Sequence, residues 1–304
     1  MLNEDKSISV AMATFNGADY VYEQINSILI QDTKPIEIII VDDASSDDTL
    51  SVLHNLALEH SIIKIYINEK NLGYVAAFKK AISKCKGKYI ALSDQDDIWE
   101  ENKLSLTLNY LREIDSNDIP CMVYSDLSMM DSFGRKLRPS FWRYYNLMPH
   151  KCRLYSLFFG NVITGCTTLF NRPMAKELLI MPENIKMHDH WMGLIAYGFG
   201  NAKALKASLV RYRCHESSVT VKKMPNLLIR ILGLFKELRQ EGCYLQSHIL
   251  QAEIFYQTYG SKLSTSKKKE VQQFMQLRAF NNLLRLTHLK LDRCCQALRL
   301  DSSA

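Results

Sequence analysis

No run of about 18 or more apolar residues occurs in this chain, so no membrane-spanning helix is expected. The first residues, MLNEDKSISV, are polar and acidic and lack the apolar core of a signal peptide. None of the 8 cysteines stands in a C-x-x-C pair, and Cys294–Cys295 are adjacent, which does not make a usual zinc framework. Scattered thiols in a chain of this size read as reduced, and a cytoplasmic setting is expected. Internal repeats and low-complexity segments are absent. So are G-x-G-x-x-G, G-x-x-x-x-G-K-[ST] and G-x-S-x-G, which argues against dehydrogenase, P-loop ATPase and hydrolase readings.

What is present is the composition of a folded protein. The 304 residues are 47% hydrophobic and 23% charged, enough for one large core or a core with an appendage, and unlike a disordered chain. The net charge of +6 is unevenly placed. Residues 225–304 hold 12 basic and 6 acidic side chains, and 12 − 6 = 6 accounts for the whole excess. Such a tail suits an anionic partner. It lacks aromatic interleaving in its basic stretches and any recognised motif, so nucleic acid is not expected.

The first hundred residues alternate strand and helix. Ile8–Ala13 is a short apolar run ending in the turn cluster Thr14-Phe15-Asn16-Gly17. Helical spacing follows over Tyr20–Ile30. The β-branched run Ile36–Val41 reads as a strand buried on both faces. Asp42–Asp48 is a loop that could cap the next helix. Ile62–Ile67 is a third strand, Asn71-Leu72-Gly73 a turn, Ala76–Lys84 a helix, and Tyr89–Leu92 a fourth strand ending in Ser93-Asp94-Gln95-Asp96-Asp97. A helix is expected over Ile98–Leu108. Repeated strand–helix units predict an α/β fold, a mostly parallel sheet flanked by helices, with ligands beyond the carboxyl ends of the strands. Thr14–Asn16, Asp42–Asp43 and Asp94–Asp97 would meet there. Strands are further expected at Met122–Tyr124, Thr167–Phe170 and Lys203–Tyr212, and a helix at Trp191–Gly198. The rest reads as helical: Asn226–Gln240, Cys243–Tyr259 and Lys267–Leu300. The expected division is 1–222 as a catalytic domain and 223–304 as a helical C-terminal region.

Three carboxylates in Asp94-Gln95-Asp96-Asp97 repel one another and call for a cation, a basic side chain or full solvation. Hard oxygen ligands suit Mg2+ or Mn2+; the plain alternative is a solvated acidic turn. Asp42-Asp43 is either a solvated cap or an acceptor for a base NH or ribose hydroxyl. Asp189, in Met187-His188-Asp189-His190-Trp191, is either a general base or a helix N-cap. A zinc reading of its two flanking histidines lacks a further ligand nearby. His215, in a loop after a strand, is a surface residue or a metal ligand.

The stretches ISVAMATFNG, IEIIIVDDASSDDT, NEKNLGYVAAFKKAI, GKYIALSDQDDIW, GCTTLFNR, HDHWMGLIAYGFG and YRCHESSVT resemble family 2 glycosyltransferases of the GT-A nucleotide-diphospho-sugar transferase fold, and within them the bacterial rhamnosyltransferase-like branch. They run in family order over residues 7–221 and leave the tail uncovered. The resemblance implies an inverting, divalent-metal-dependent transferase. It would move a sugar, rhamnose by the branch, from a dTDP- or UDP-sugar to a glycan or lipid-linked glycan hydroxyl in surface polysaccharide synthesis. It implies Phe15 stacking on the base, Asp43 contacting it beside Asp42, and Asn71 and Gly73 shaping the donor pocket. Asp94 and Asp96 would be the DxD pair, Asp96 the direct metal ligand, Asp189 the catalytic base, and His215 a metal-associated position. Thr14, Asn16 and Gln95 complete the expected donor site. The chain departs from the pattern at Ala77, often Asn in relatives, and at Cys214, often Gln. The alternatives are a non-catalytic nucleotide-sugar-binding or scaffolding protein on the same fold, and a nucleotidyltransferase. The second would want a Gly-rich basic loop after the first strand, which Phe15-Asn16-Gly17-Ala18-Asp19 does not supply. The segment Pro225–Lys236, apolar with a basic edge, would lie in a membrane interface at the inner face of the cell membrane, pack on the core, or form a homodimer.

Overall fold

Four parallel strands carry the first hundred residues. In chain order the elements are β1 (Ile8–Thr14), α1 (Ala18–Leu29), β2 (Glu37–Asp42), α2 (Thr49–Glu59), β3 (Ile63–Ile67), α3 (Tyr74–Lys84) and β4 (Tyr89–Ser93). The strands lie side by side as β3-β2-β1-β4. Every residue of β2 is buried, as its β-branched run requires when helices cover both faces. The register pairs Thr14 with Asp42 and Met12 with Ser93, so the strands end at one edge with their polar clusters side by side. The computed structural model describes residues 7–185, 187–214 and 244–277.

Beyond β4 antiparallel strands join what remains, as expected, a mostly parallel sheet. β8 (Thr168–Asn171) runs antiparallel to β4, and β6 (Cys121–Asp131) antiparallel to β8. β9 (Asn201–Cys214) then pairs parallel to β6 over a long, twice-shifted register. A short β5 (Ile98–Trp99) closes the order on β9, and β7 (Lys136–Arg138) forms a hairpin with β6. β6 and β9 run the same way as β1–β4, and β5, β7 and β8 run against them.

The expected helix at Ile98–Leu108 is in fact β5 followed by α4 (Lys103–Arg112). Ile98 and Trp99 pair with Arg211 and Val210, and the Trp99 amide donates to Ser27 Oγ at 3.0 Å. Partners more than 70 residues away thus hold this pair extended against its local helical pattern. Smaller elements follow: α5 (Phe141–Tyr144), α6 (Leu154–Leu157), α7 (Arg172–Leu179) and α8 (His188–Phe199). α8 is buried on all sides from His188 to Ala196, so it is a core helix.

The chain divides into two compact units, residues 1–153 with 161–221, and residues 154–160 with 222–304. The stretch 154–160 therefore groups with the C-terminal unit. That unit contains α9 (Tyr244–Tyr259) and a helical stretch over 265–277, and its core is aromatic. Phe158 stacks on Phe274 at 5.0 Å between ring centroids, and Phe255 meets Tyr259 at 5.5 Å. The expected helix 226–240 and most of the one ending at 300 lie outside the described residues, as does His215. No helix among the described residues is long and apolar enough to cross a membrane.

Candidate active site

The β1–α1 turn is built by side chains from two other loops, those after β2 and β4. Thr14 Oγ1 donates to Asp42 Oδ2 at 2.8 Å, and the Ser45 amide and hydroxyl donate to the same carboxylate at 2.8 and 2.6 Å. Asn16, at φ 48°, and Ala44, at φ 64°, sit in the left-handed region. Asn tolerates it through local hydrogen bonds, here from the Ser46 amide to Asn16 Oδ1 at 2.8 Å. Ala44 has no such help and holds about 1–2 kcal/mol of strain. The Gln95 side-chain amide pairs with the Phe15 backbone twice, accepting from its N–H at 2.8 Å and donating to its carbonyl at 3.0 Å. A Cβ on Gly17 would lie 2.3 Å from Gln95 Oε1, so glycine makes room for this clamp. The Phe15 ring stays 44% exposed and lines the cleft, so its face is free for stacking.

Asp42 and Asp43 divide their work because successive side chains at a strand end point to opposite sides. Asp42 is fully buried and holds the two loops just described. Asp43 turns to the cleft and accepts from Asn68 Nδ2 at 2.7 Å, from the Gly73 amide at 2.7 Å and from the Leu72 amide at 3.0 Å. That carboxylate therefore shapes the Asn71–Gly73 loop. Gly73 sits at φ 85°, a conformation glycine adopts without strain, and precedes α3.

The acidic strand end splits the same way. Asp94 and Asp96 line the cleft. Asp97 is fully buried, accepts from the Arg213 amide at 3.2 Å, and has its other oxygen without a hydrogen-bond partner among the described residues. Burial pushes the Asp97 carboxyl well up, and the charges of Asp96 and Asp94 push it further. One carboxylate oxygen each of Asp94 and Asp97 and the Cys166 sulfur lie within 4.8 Å of one another. Beneath them the Lys103 amine is also without a hydrogen-bond partner among the described residues, 3.5 Å from the Trp99 ring centroid. Burial lowers its pKa to about 7. Asp94 is raised, first by burial and then by the charges of Asp96 and Asp189.

Asp189 faces this cluster from α8. Its position excludes the N-cap alternative, since Met187 is the cap and Asp189 lies in the first turn. Its oxygens accept from the Gly165 amide at 3.2 Å and the His190 amide at 2.6 Å, and burial raises its pKa to about 6. His188 packs on Phe78 at 4.5 Å and Tyr74 at 5.9 Å. Burial lowers its pKa to about 4, and neither ring nitrogen has a hydrogen-bond partner among the described residues. A neutral, enclosed imidazole is not a counter-charge for the carboxylates. Gly165 lets it approach, since a Cβ there would lie 2.8 Å from His188 Nε2.

These groups enclose a cleft of about 600 Å3, the size of small-molecule sites. Of the residues expected from sequence, Thr14, Phe15, Asn16, Asp43, Asn71, Gly73, Asp94, Gln95, Asp96 and Asp189 line it, and Asp42 does not. Ala77 lines it too and brings no polar group to it. Sequence reasoning passed over Tyr20, Tyr74, Phe78, Thr164, Gly165 and Tyr212 as cleft residues. The signal available for two of them was proximity to a motif, Tyr74 following Asn71-Leu72-Gly73 and Tyr212 preceding Arg213.

An open α/β sheet whose strand ends gather carboxylates around a nucleotide-sized cleft has the GT-A architecture of nucleotide-diphospho-sugar transferases. Residues 9–179 match Glycosyl transferase family 2, more than half of the chain, and the protein belongs to that family. TuaG of Bacillus subtilis, described as a putative teichuronic acid biosynthesis glycosyltransferase, is 28% identical over 73% of this chain and 85% of its own. The cholesterol galactosyltransferase of Borreliella burgdorferi is 27% identical over 83% of this chain and 73% of its own. An uncharacterised glycosyltransferase of Rickettsia prowazekii is 28% identical over 70% of this chain, which spans 65% of that protein. Among solved structures, S. aureus TarS 1–349 in complex with UDP-GlcNAc aligns with a TM-score of 0.59 at 17% identity, over 93% of this chain and 88% of that one. The mannosyltransferase PcManGT of Pyrobaculum calidifontis, in complex with GDP-Man and Mn2+, aligns with a TM-score of 0.52 at 18% identity, over 93% and 79%. At such identities the likeness is one of fold.

Proposed function

We propose that this chain moves a sugar from a nucleoside-diphosphate sugar to a hydroxyl of a glycan or lipid-linked glycan acceptor, with inversion, in surface polysaccharide synthesis. The observation that carries the reading is that Asp189 shares one cleft with Asp94, Asp96 and the exposed face of Phe15. A base for the acceptor, carboxylates for a diphosphate-bound cation and an aromatic platform for the nucleotide are the parts such a transfer needs. The relatives support the class of donor and product: UDP-GlcNAc and GDP-Man are bound in the solved structures, and TuaG is a putative teichuronic acid biosynthesis glycosyltransferase. A dTDP- or UDP-sugar is the proposed donor, with rhamnose the first sugar to try on the branch resemblance.

Asp94 and Asp96 fit a divalent cation, Mg2+ or Mn2+: they are hard oxygen donors, and a cation would offset both the burial and the neighbouring charges of Asp96 and Asp189 that raise Asp94. Held by Asp94 and Asp96, such a cation would supply positive charge to offset that developing on a leaving diphosphate. Asp189 removes the acceptor proton, and the acceptor oxygen attacks the anomeric carbon from the face opposite the diphosphate. Retention through a covalent intermediate would need a second carboxylate beside the sugar. Asp43, the remaining carboxylate lining the cleft among the described residues, is held by the Leu72 and Gly73 amides.

The test is calorimetric titration with UDP, dTDP and GDP, with and without Mn2+, on the wild type and Asp96→Ala. Tight binding of one nucleotide that needs both metal and Asp96 is expected. Absence of metal-dependent binding to all three would favour a scaffolding role. A second expectation concerns the clamp on Phe15. Gly17→Ala pushes Gln95 off the Phe15 backbone, and nucleotide affinity should fall about tenfold, the effect of losing about 1.4 kcal/mol of aromatic stacking. Gln95 is a flexible side chain, so the thermal midpoint should move by only a few degrees. Unchanged affinity would remove Phe15 from the nucleotide site.

A further inference from the structure

The hairpin formed by β6 and β7 stands at the cleft edge of the sheet. β6 is antiparallel to β8, and β8 to β4, so β6 and β4 point the same way and both end beside the cleft. Arg213 fastens the hairpin to that edge. Its guanidinium, 3% exposed, donates to the Asp96 carbonyl at 2.8 Å, the Ser132 carbonyl at 3.0 Å and Glu23 at 2.6 Å, and lies over the Tyr20 ring at 4.9 Å. The loop carrying Asp96 and the turn of the hairpin are therefore one construction.

The outer part of the hairpin is exposed without a break from Phe133 to Pro139. Phe133, at its tip, is 82% exposed, and Leu137, Tyr144 and Met148 add apolar surface nearby in the chain. A single exposed apolar residue is ordinary, but Phe133 and Leu137 stand exposed on one short hairpin, with Tyr144 beside its Arg138. Residues 132–148 contain Arg135, Lys136, Arg138 and Arg143 and no Asp or Glu. Arg135 is paired with Asp131, whereas Lys136, Arg138 and Arg143 have no carboxylate partner among the described residues. The cations lie against the aromatics, Arg135 at 5.2 Å from the Phe133 ring centroid and Arg138 at 5.1 Å from that of Tyr144. Aromatic and basic side chains interleaved on one projection match the two layers of an anionic bilayer surface. The ring enters the acyl boundary while the cations stay among the phosphates.

We propose that the β6–β7 hairpin docks the mouth of the cleft onto an anionic bilayer, with Phe133 inserting and Lys136, Arg138 and Arg143 meeting the headgroups. The contact is separate from the chemistry in the cleft and is read without turnover. It places the Asp96 loop at the membrane surface, where a lipid-anchored acceptor hydroxyl would arrive.

The test is co-sedimentation of the full chain with vesicles of phosphatidylcholine alone and of phosphatidylcholine with phosphatidylglycerol, in low and high salt. Variants are Phe133→Ser and the pair Lys136→Glu with Arg138→Glu. All three positions are exposed, and an unchanged thermal midpoint would show the fold intact. Binding to the anionic vesicles alone is expected, weakened by salt. The partition coefficient should fall about tenfold in Phe133→Ser, and more than tenfold in the charge-reversed pair. Failure of the wild type to bind anionic vesicles would overturn the proposal. So would binding that both variants retain, since the affinity would then belong to another part of the chain. Loss in the charge-reversed pair with none in Phe133→Ser would also overturn it, pointing to a soluble polyanion in place of a bilayer.

Discussion

Asp189→Asn is expected to lower kcat by a thousandfold or more while leaving nucleotide affinity within about twofold, because a positioned general base contributes roughly 10²–10⁴. The amide keeps the size of the carboxylate and an oxygen to accept from the Gly165 or His190 amide, so the geometry survives and the basicity does not. The pH dependence follows from burial, which raises the Asp189 pKa to about 6. The working form is the carboxylate, so kcat/KM in the wild type should rise about tenfold per pH unit up to about pH 6 and then level. A stability measurement gives an independent check. The folded pKa lies above the 3.8 of an ordinary aspartate, so the native state holds the proton more tightly than the unfolded chain. The penalty is absent below about pH 4, grows between pH 4 and 6, and above that reaches about 3 kcal/mol. Denaturant unfolding without metal should therefore show Asp189→Asn more stable than wild type by up to that amount at pH 8, and equal to it near pH 3.5. A variant that is inactive and less stable at pH 8 would mean the lost activity reflects damage rather than a missing base.

Asp96→Ala should reduce metal-supported turnover about a thousandfold, the scale of losing several kcal/mol of charge stabilisation at the leaving group. Its fold should persist, since Arg213 holds the Asp96 loop through the backbone carbonyl, which alanine keeps. Removing Asp96 also removes one of the charges that raise Asp94, so Asp94 should ionise at lower pH in the variant. A carbonyl-stretch infrared titration of metal-free protein checks this. Full turnover in Asp96→Ala would take the residue out of the metal site altogether.

How much of this was legible in advance depends on the range of the interactions concerned. The strands Ile8–Ala13, Ile36–Val41 and Tyr89–Leu92 could be read because a strand buried on both faces must be apolar throughout, which is a local property. Their carboxyl ends could be named as the site because parallel strands share a direction. The resemblance to family 2 glycosyltransferases carried the base assignment to Asp189, which its own surroundings left open between base and cap. Membership of the family follows from the match over residues 9–179, and the GT-A fold from the solved structures.

What the sequence determined by itself was which segments become buried strands, and that carboxylates and a phenylalanine would gather beyond them. The tertiary structure alone decided which member of each acidic cluster faces the cleft. Asp42 and Asp43 are neighbours, as are Asp96 and Asp97, and apart from the family resemblance, which favoured Asp43 and Asp96, no local pattern tells one from the other. Asp42 turns to Thr14, and Asp97 turns to the Arg213 amide, 116 positions further on. Ile98–Trp99 became strand because β9 was there to pair with it, and Lys103 was carried into the interior on the helix that follows. These outcomes rest on contacts between distant parts of the chain, and a pattern confined to a few neighbouring residues holds no record of them.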